Sequence, residues 1–271
     1  MLTTQLSGIS ICYDDVGQGE PAVLFLPGWC APRQVFQPLL PLVSQNRRAL
    51  AIDWRGHGES AAFAGNFGLS ELADDAEATL KAADVKSAVL FALAHAGWVA
   101  IELRRRLGQC IRGIVSLEWF VMGAPQPFRE ALDGMQSPER WRQVVDSSFD
   151  RWLLGTSNAD LIRFVREGMG GFDFTMWSRA AREITDAFDR CPVPLDALSS
   201  LECPVLHLYS QPQNDAYLIA QQEFAHRHPW FSVRRLRAHS HFPMFEVPTE
   251  IADAIEDFIA RLDRSLPYSA G

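Results

Sequence analysis

Runs rich in β-branched and aromatic residues alternate along this chain with stretches of helical periodicity. That alternation limits the fold more than any other feature. The apolar runs are ISICYDD (9–15), AVLFLP (22–27), RALAID (48–53), SAVLFALA (87–94), RGIVSLEW (112–119), PVLHLYS (204–210) and FSVRRLRA (231–238). Helix-period segments separate most of them, at roughly 33–46, 69–83, 97–108, 213–226 and 248–263. Repetition of strand, helix and strand implies an α/β fold with a mostly parallel, twisted sheet and helices on both faces. The first run is expected to form the antiparallel edge.

The alternation stops between about 120 and 200, where the sequence reads as helices alone: SPERWRQVVDSSFDRWLLG, NADLIRFVREGMG and DFTMWSRAAREITDAFDR. Ser137 is a natural N-cap with Pro138 in the first turn, and Gly155 and Gly170-Gly171 are natural stops. The expected organisation is one core domain, 1–119 and 201–271, with an all-helical cap insertion, 120–200, over the C-terminal edge of the sheet. The closing LPYSAG reads as a loose tail.

Composition narrows the partners. The chain has 271 residues, 48% of them hydrophobic, and a net charge of −8, enough to bury a full core but unsuited to nucleic acid or an anionic membrane surface. The one basic cluster, Arg104-Arg105-Arg106, falls late in a helix, where it complements the helix dipole. Five cysteines without C-x-x-C spacing suggest neither a disulfide framework nor a zinc site. No signal-like N-terminus and no apolar run of membrane-spanning length is seen, so a cytoplasmic setting is expected.

In open α/β sheets the ligand sits at the carboxyl ends of the strands. Those ends carry PGWC (27–30), DWRGHGES (53–60), ALAHAGW (92–98), SLEW (116–119), SQPQND (210–215) and AHSHFPMFEVP (238–248). ALAHAGW is a small-residue turn between strand and helix, the position at which many enzymes carry a serine nucleophile in G-x-S-x-G. Here the tip is Ala94. The backbone amides of Trp29 and of His95 occupy the positions of oxyanion donors. His241, in a loop after the last strand, stands where a general base belongs, with Glu118 or Asp215 as the acid that orients it. Asp53, Arg55 and His57 are expected to tie loops together, His207 to be a satisfied core histidine, and His226 and His228 to lie at the surface. HSH and HRH offer too few ligands for a metal site.

These segments together resemble the α/β-hydrolase fold. More narrowly, LPGWC, DWRGHG, HAGW, the EW after the fifth central strand, PERWR, FDRWL, SQP, HPWFS and HFP resemble the cofactor-independent 3-hydroxy-4-oxoquinoline and quinaldine 2,4-dioxygenases. The resemblance implies a histidine–acid dyad at His241 and Glu118, and favours Glu118 over Asp215. The family usually has aspartate at this acid and serine at the elbow; Glu118 and Ala94 depart from both. It also implies a small aromatic heterocyclic substrate and O₂, no metal and no organic cofactor, and ring opening with release of carbon monoxide. Trp29, Ala94, His95 and Trp152 are expected to contact the substrate. The small or apolar Ala31, Leu93 and Ala94 suggest room for a C2 alkyl chain. Two other readings remain: a hydrolase of an ester or carbon–carbon bond, tenable if Ala94 replaces a native serine, since alanine at the tip supplies no nucleophile, and a non-catalytic ligand receptor, which has no evident use for a base.

Overall fold

The computed structural model describes residues 1–264 and opens with a hairpin, β1 (Leu2–Leu6) paired antiparallel to β2 (Ile9–Val16). Six further strands follow: β3 (Ala22–Leu26), β4 (Ala49–Ile52), β5 (Ala88–Leu93), β6 (Ile111–Leu117), β7 (Val205–Tyr209) and β8 (Phe231–Arg235). They form one sheet in the order β1-β2-β4-β3-β5-β6-β7-β8, parallel from β4 to β8. The first apolar run is therefore not the edge: β1 lies outside it. The polar residues of TTQ hide that strand, but Ser7 and Gly8, both at positive φ, make the two-residue turn that joins it to β2. The closing tail lies outside the described residues.

Strands β3, β4, β5 and β7 are buried along their whole length, as a parallel sheet covered on both faces requires. The covering helices are α1 (Leu40–Val43), α2 (Leu69–Ala82), α3 (Ala96–Leu107), α9 (Asp215–Arg227) and α10 (Pro248–Arg264). α2 packs with α3, and α1 with α10. The long helix expected over 33–46 is instead a short 3₁₀ turn followed by α1. Pro38 and Pro41 lack the amides a continuous helix needs. Arg104 ends α3 by donating to the Gly108 and Ile111 carbonyls, the latter at 2.9 Å.

Between β6 and β7 lie α4 (Gln126–Met135), α5 (Trp141–Trp152), α6 (Ala159–Arg163), a π-helical turn at 164–168, α7 (Phe174–Arg190) and α8 (Pro194–Ser199). α4 and α8 were not legible in the sequence. Each starts at or beside a proline, and α8 is barely two turns long. Ser137 is not the N-cap of α5. It bonds Glu139 through its hydroxyl at 2.9 Å, its carbonyl accepts from Arg140 and Trp141, and the helix starts after Arg140. Asn158 and Asp173 do cap α6 and α7, their side chains accepting from backbone amides at 3.0 Å. On α7, Trp177, Ala180, Ala181, Ile184, Ala187 and Phe188 form the buried stripe expected of an amphipathic helix. Full burial of a side chain such as Phe188 contributes about 1.5–3 kcal/mol.

Candidate active site

Pairing in the sheet brings the strand ends to one edge. Leu26 lies opposite Ala92, Leu93 opposite Leu117, and Leu117 opposite Leu208. The residues that follow, Gly28-Trp29, Ala94, Glu118 and Ser210, therefore leave the sheet side by side. A Cβ placed on Gly28 would sit 3.6 Å from the Leu93 carbonyl oxygen and 4.0 Å from the Ala94 Cβ, so the turn after β3 touches the elbow.

Three non-glycine residues at this edge adopt left-handed backbone: Cys30 (φ 56°), Ala94 (φ 50°) and Glu118 (φ 55°). Each costs roughly 1–2 kcal/mol relative to ordinary backbone. Strain repeated at three adjacent strand ends marks residues held for their direction rather than for stability. Ala92 and Ala96 flank the tip and are both buried, so small side chains let the chain turn sharply into α3. Among the described residues, neither the Trp29 nor the His95 amide has a protein acceptor.

His241 Nδ1 lies 3.6 Å from Glu118 Oε2, an ion-pair distance somewhat longer than a hydrogen bond. The other contacts of the carboxylate come from the end of β7. The Ser210 amide donates to Oε1, the Ser210 hydroxyl lies 2.7 Å from the same oxygen, and the Gln211 amide donates to Oε2 at 3.3 Å. Asp215 is elsewhere, mostly exposed and paired with Arg235 at 2.8 Å. The imidazole is fixed from two sides. Its own amide donates to the Trp152 carbonyl at 2.9 Å, and the Trp152 indole stacks on its ring at 5.3 Å and 20°. α5 thus ends on the histidine loop.

Sequence reasoning did not single out Ser210 or Glu246 as supports for this pair. The Ser210 hydroxyl also lies 2.6 Å from the Ser240 carbonyl, so one side chain touches both the acid and the histidine loop. Glu246 accepts from the amides of His239 (3.1 Å) and Ser240 (2.8 Å) and from the Ser240 hydroxyl. Although burial acts to raise its pKa, those bonds hold its carboxyl below the usual value. The available signal was position: both residues lie in strand-end segments.

Three other histidines, His57 and His207 fully buried and His95 partly so, are kept neutral. His95 is pushed down to about 3 by burial and by the nearby His241 charge; its ring stacks on Phe128 at 5.2 Å, and its Nδ1 has no partner. His57 is pushed down to about 4 by burial. It accepts from the Cys30 amide at 3.1 Å while its Nδ1 donates to the Arg55 carbonyl at 3.0 Å, which ties the turn after β3 to the loop after β4. His207, also near 4, bonds Gln221 at 2.5 Å inside the core. Asp53 and Arg55 are structural as well: Asp53 holds Arg33 and the Glu59 amide, and Arg55 pairs with Asp75 at 2.7 Å. Among the described residues, no group of three or more His, Cys, Asp or Glu side chains is arranged to hold a metal ion.

The arrangement offers a histidine faced by a carboxylate, two backbone amides without a protein acceptor among the described residues, and an elbow tip with no heteroatom. It can remove a proton and stabilise an oxyanion; it cannot form an acyl-enzyme at residue 94.

Comparison with known proteins agrees with this frame. Residues 23–254 match the Alpha/beta hydrolase family. The 2-heptyl-3-hydroxy-4(1H)-quinolone dioxygenase of Mycobacteroides abscessus is 38% identical over 96% of this chain and 98% of its own. The 1H-3-hydroxy-4-oxoquinoline 2,4-dioxygenase of Pseudomonas putida is 31% identical over 96% of this chain and 99% of its own. A solved structure of an AqdC variant with its substrate, described as recognising and cleaving the ring of the Pseudomonas quinolone signal, superposes with a TM-score of 0.91. It is 36% identical, covering 96% of this chain and 98% of that one. Matched over nearly its whole length by these enzymes at 31–38% identity, the chain belongs to the 3-hydroxy-4-quinolone 2,4-dioxygenase family.

Proposed function

We propose that this protein cleaves the heterocyclic ring of 2-alkyl-3-hydroxy-4(1H)-quinolones with O₂, releases carbon monoxide, and needs neither metal nor organic cofactor. The observation that carries the reading is an unreactive Ala94 at the elbow tip in a chain whose His241 is faced by a carboxylate at 3.6 Å. A site so equipped suits a substrate that becomes reactive once deprotonated. Full-length identity to named quinolone dioxygenases supports the same reaction.

In this reading His241 removes the proton of the 3-hydroxyl, and Glu118 stabilises the imidazolium that forms. The electron-rich quinolone anion gives its electrons to O₂, and a C2–O bond forms. The distal peroxide oxygen attacks C4, and the Trp29 and His95 amides stabilise the charge that develops on the C4 oxygen. Cleavage of the O–O bond and of the C2–C3 and C3–C4 bonds expels C3 as carbon monoxide. One oxygen remains on C2, now an amide carbonyl, and one on C4, now a carboxylate. The product is an N-acylanthranilate, and the atoms of substrate plus O₂ are all accounted for. Trp29 and Trp152 supply flat walls for the bicyclic ring, and residues 120–200 act as a cap that excludes water.

No helix among the described residues is long and apolar enough to cross a membrane. We assign the activity to the reducing cytoplasm, where Cys12, Cys30, Cys110, Cys191 and Cys203, all free thiols, remain reduced.

The test is direct. Purified protein is mixed with 2-heptyl-3-hydroxy-4-quinolone in an oxygen electrode, with carbon monoxide trapped and the products analysed by mass. One O₂ consumed and one carbon monoxide released per quinolone is the expected result. Quinolone left intact in air, or turnover that persists without O₂, sinks the proposal.

A further inference from the structure

The loop from Gly56 to Gly68, between β4 and α2, is held from two sides by an arginine over a phenylalanine ring. From the core, Arg55 lies 5.5 Å from the Phe63 centroid. From α7, Arg179 lies 4.1 Å from the Phe67 centroid and donates to the Gly65 carbonyl at 3.0 Å. Arg55 has a carboxylate partner in Asp75. Arg179 is different: it is 8% exposed, its Nε has no partner, and among the described residues no carboxylate lies within ion-pair distance.

Two other α7 residues at helical spacing meet the same loop. Met176 packs toward Gly56, and Glu183 fills the space beside Gly68 while accepting from the Leu69 amide at 3.3 Å. Phe67 then passes the contact inward, stacking on the Trp29 indole at 5.7 Å and 18°. Burial opposes the charge of this guanidinium, and Glu183 and Asp173 favour it only from beyond ion-pair distance. The ring face of Phe67 offsets part of that cost. What the fold gains is a rigid path from α7 to the turn after β3.

We propose that Arg179 is a positioning residue that acts through Phe67 to hold the Trp29 turn, and with it the Trp29 amide, in register with the charge developing on the substrate. The inference rests on the dioxygenase reading above. Because the amide interaction grows as the oxyanion forms, its misplacement lowers kcat more than it raises KM.

The experiment compares Arg179→Met, which keeps the apolar stem, with Arg179→Lys, which keeps the charge, and with Phe67→Leu and the Arg179→Met/Phe67→Leu double variant. Steady-state O₂ uptake with 2-heptyl-3-hydroxy-4-quinolone is read beside amide hydrogen exchange of residues 28–30 and 61–68. Arg179→Met is expected to lower kcat about tenfold to a hundredfold with KM changed less than about threefold, short of what outright loss of an oxyanion donor costs. It is expected to speed exchange at both segments, and Arg179→Lys to recover part of each effect. The double variant is expected to be no slower than the slower single, since both act on one path. Wild-type kcat in Arg179→Met, multiplying losses in the double variant, or unchanged exchange at 28–30 overturns the proposal. If Arg179→Met does not fold, a wild-type kcat in Phe67→Leu overturns it equally. Absence of turnover in the wild-type chain refutes the dioxygenase reading instead, and hydrogen exchange then still decides whether Arg179 holds the Trp29 turn.

Discussion

His241 stacks on Trp152 and turns its Nδ1 toward Glu118 Oε2 at 3.6 Å, while the Ser210 and Gln211 amides donate to that carboxylate. His241 and Glu118 follow strands β8 and β6, which are not neighbours; β7 lies between them, and the residues after it join the two. The hydroxyl of Ser210, touching Glu118 and the Ser240 carbonyl, links the two loops a second time.

Replacing His241 by alanine is expected to lower kcat about 10²- to 10⁴-fold, the usual contribution of a positioned general base. Glu118→Gln, which keeps the size and removes the charge, is expected to cost less, about tenfold to a thousandfold. Glu118→Asp shortens an arm that already stops at 3.6 Å and should fall between wild type and Glu118→Gln. Oxygen uptake at saturating quinolone measures all three. A His241→Ala variant with nearly wild-type turnover would place the base elsewhere.

Ala94→Ser adds a hydroxyl at the elbow tip without changing the turn. Dioxygenation is expected to change only modestly, within about tenfold, because the base acts on the substrate rather than on residue 94. Activity against p-nitrophenyl esters is measured in parallel. Strong esterase turnover coupled to loss of oxygen uptake in this variant would return the hydrolase reading to first place.

Chain length at C2 should govern affinity. Each buried methylene contributes up to about 0.8 kcal/mol, so a heptyl side group outbinds a methyl by a large factor if even a few methylenes are covered. The expected order of kcat/KM is heptyl above methyl and unsubstituted quinolone. Cap side chains such as Phe149, buried against Trp152 and Trp177, or Phe174 would oppose this if they fill the space themselves. A steep fall beyond methyl would mean that they do.

Acid should destabilise the fold through its buried histidines. His57, His95 and His207 are held near 4, 3 and 4 by burial, below the ordinary 6.5. The unfolded chain binds their protons as pH falls below about 6.5 while the native chain does not, so each removes stability between about pH 6.5 and 4. The limit is about 1.4 kcal/mol per pH unit per histidine. Urea unfolding of wild type and His207→Gln at pH 7.5, 6.0 and 5.0 isolates one of them. The variant should lose stability less steeply over that interval; parallel curves contradict the assignment.

Turnover should survive exhaustive chelation and show no dependence on added metal or flavin. Metal analysis of active protein beside the oxygen-uptake rate checks this. Stoichiometric iron or copper whose removal abolishes the rate, and whose return restores it, would refute the cofactor-free mechanism.

Periodicity alone determined the alternating core. A buried parallel strand must be apolar on both faces, and a covering helix must be apolar on one, so β3, β5, β6 and β7 and helices α2, α3 and α10 are written plainly in the residues. Strand-end positions pointed to Trp29, Ala94, His95, Glu118 and His241 for the same reason: an open α/β sheet delivers its loops to one edge. β1 escaped because its residues are mostly polar and its stability comes from pairing with β2. α4 and α8 escaped because short helices entered through proline owe their existence to packing rather than to propensity.

The choice between Glu118 and Asp215 needed more than the residues themselves. Both acids follow a strand, and only the strand order and the left-handed backbone at Glu118 aim one of them at His241 while Arg235 takes the other. Ser210, Glu246, Phe67 and Arg179 are likewise ordinary polar or apolar residues in sequence. Each touches a partner roughly 6 to 114 positions away, such as Arg179 with the Gly65 carbonyl. Contacts of that kind have no local signature, because they depend on where folding brings distant segments together; a linear pattern records only what a residue does to its neighbours.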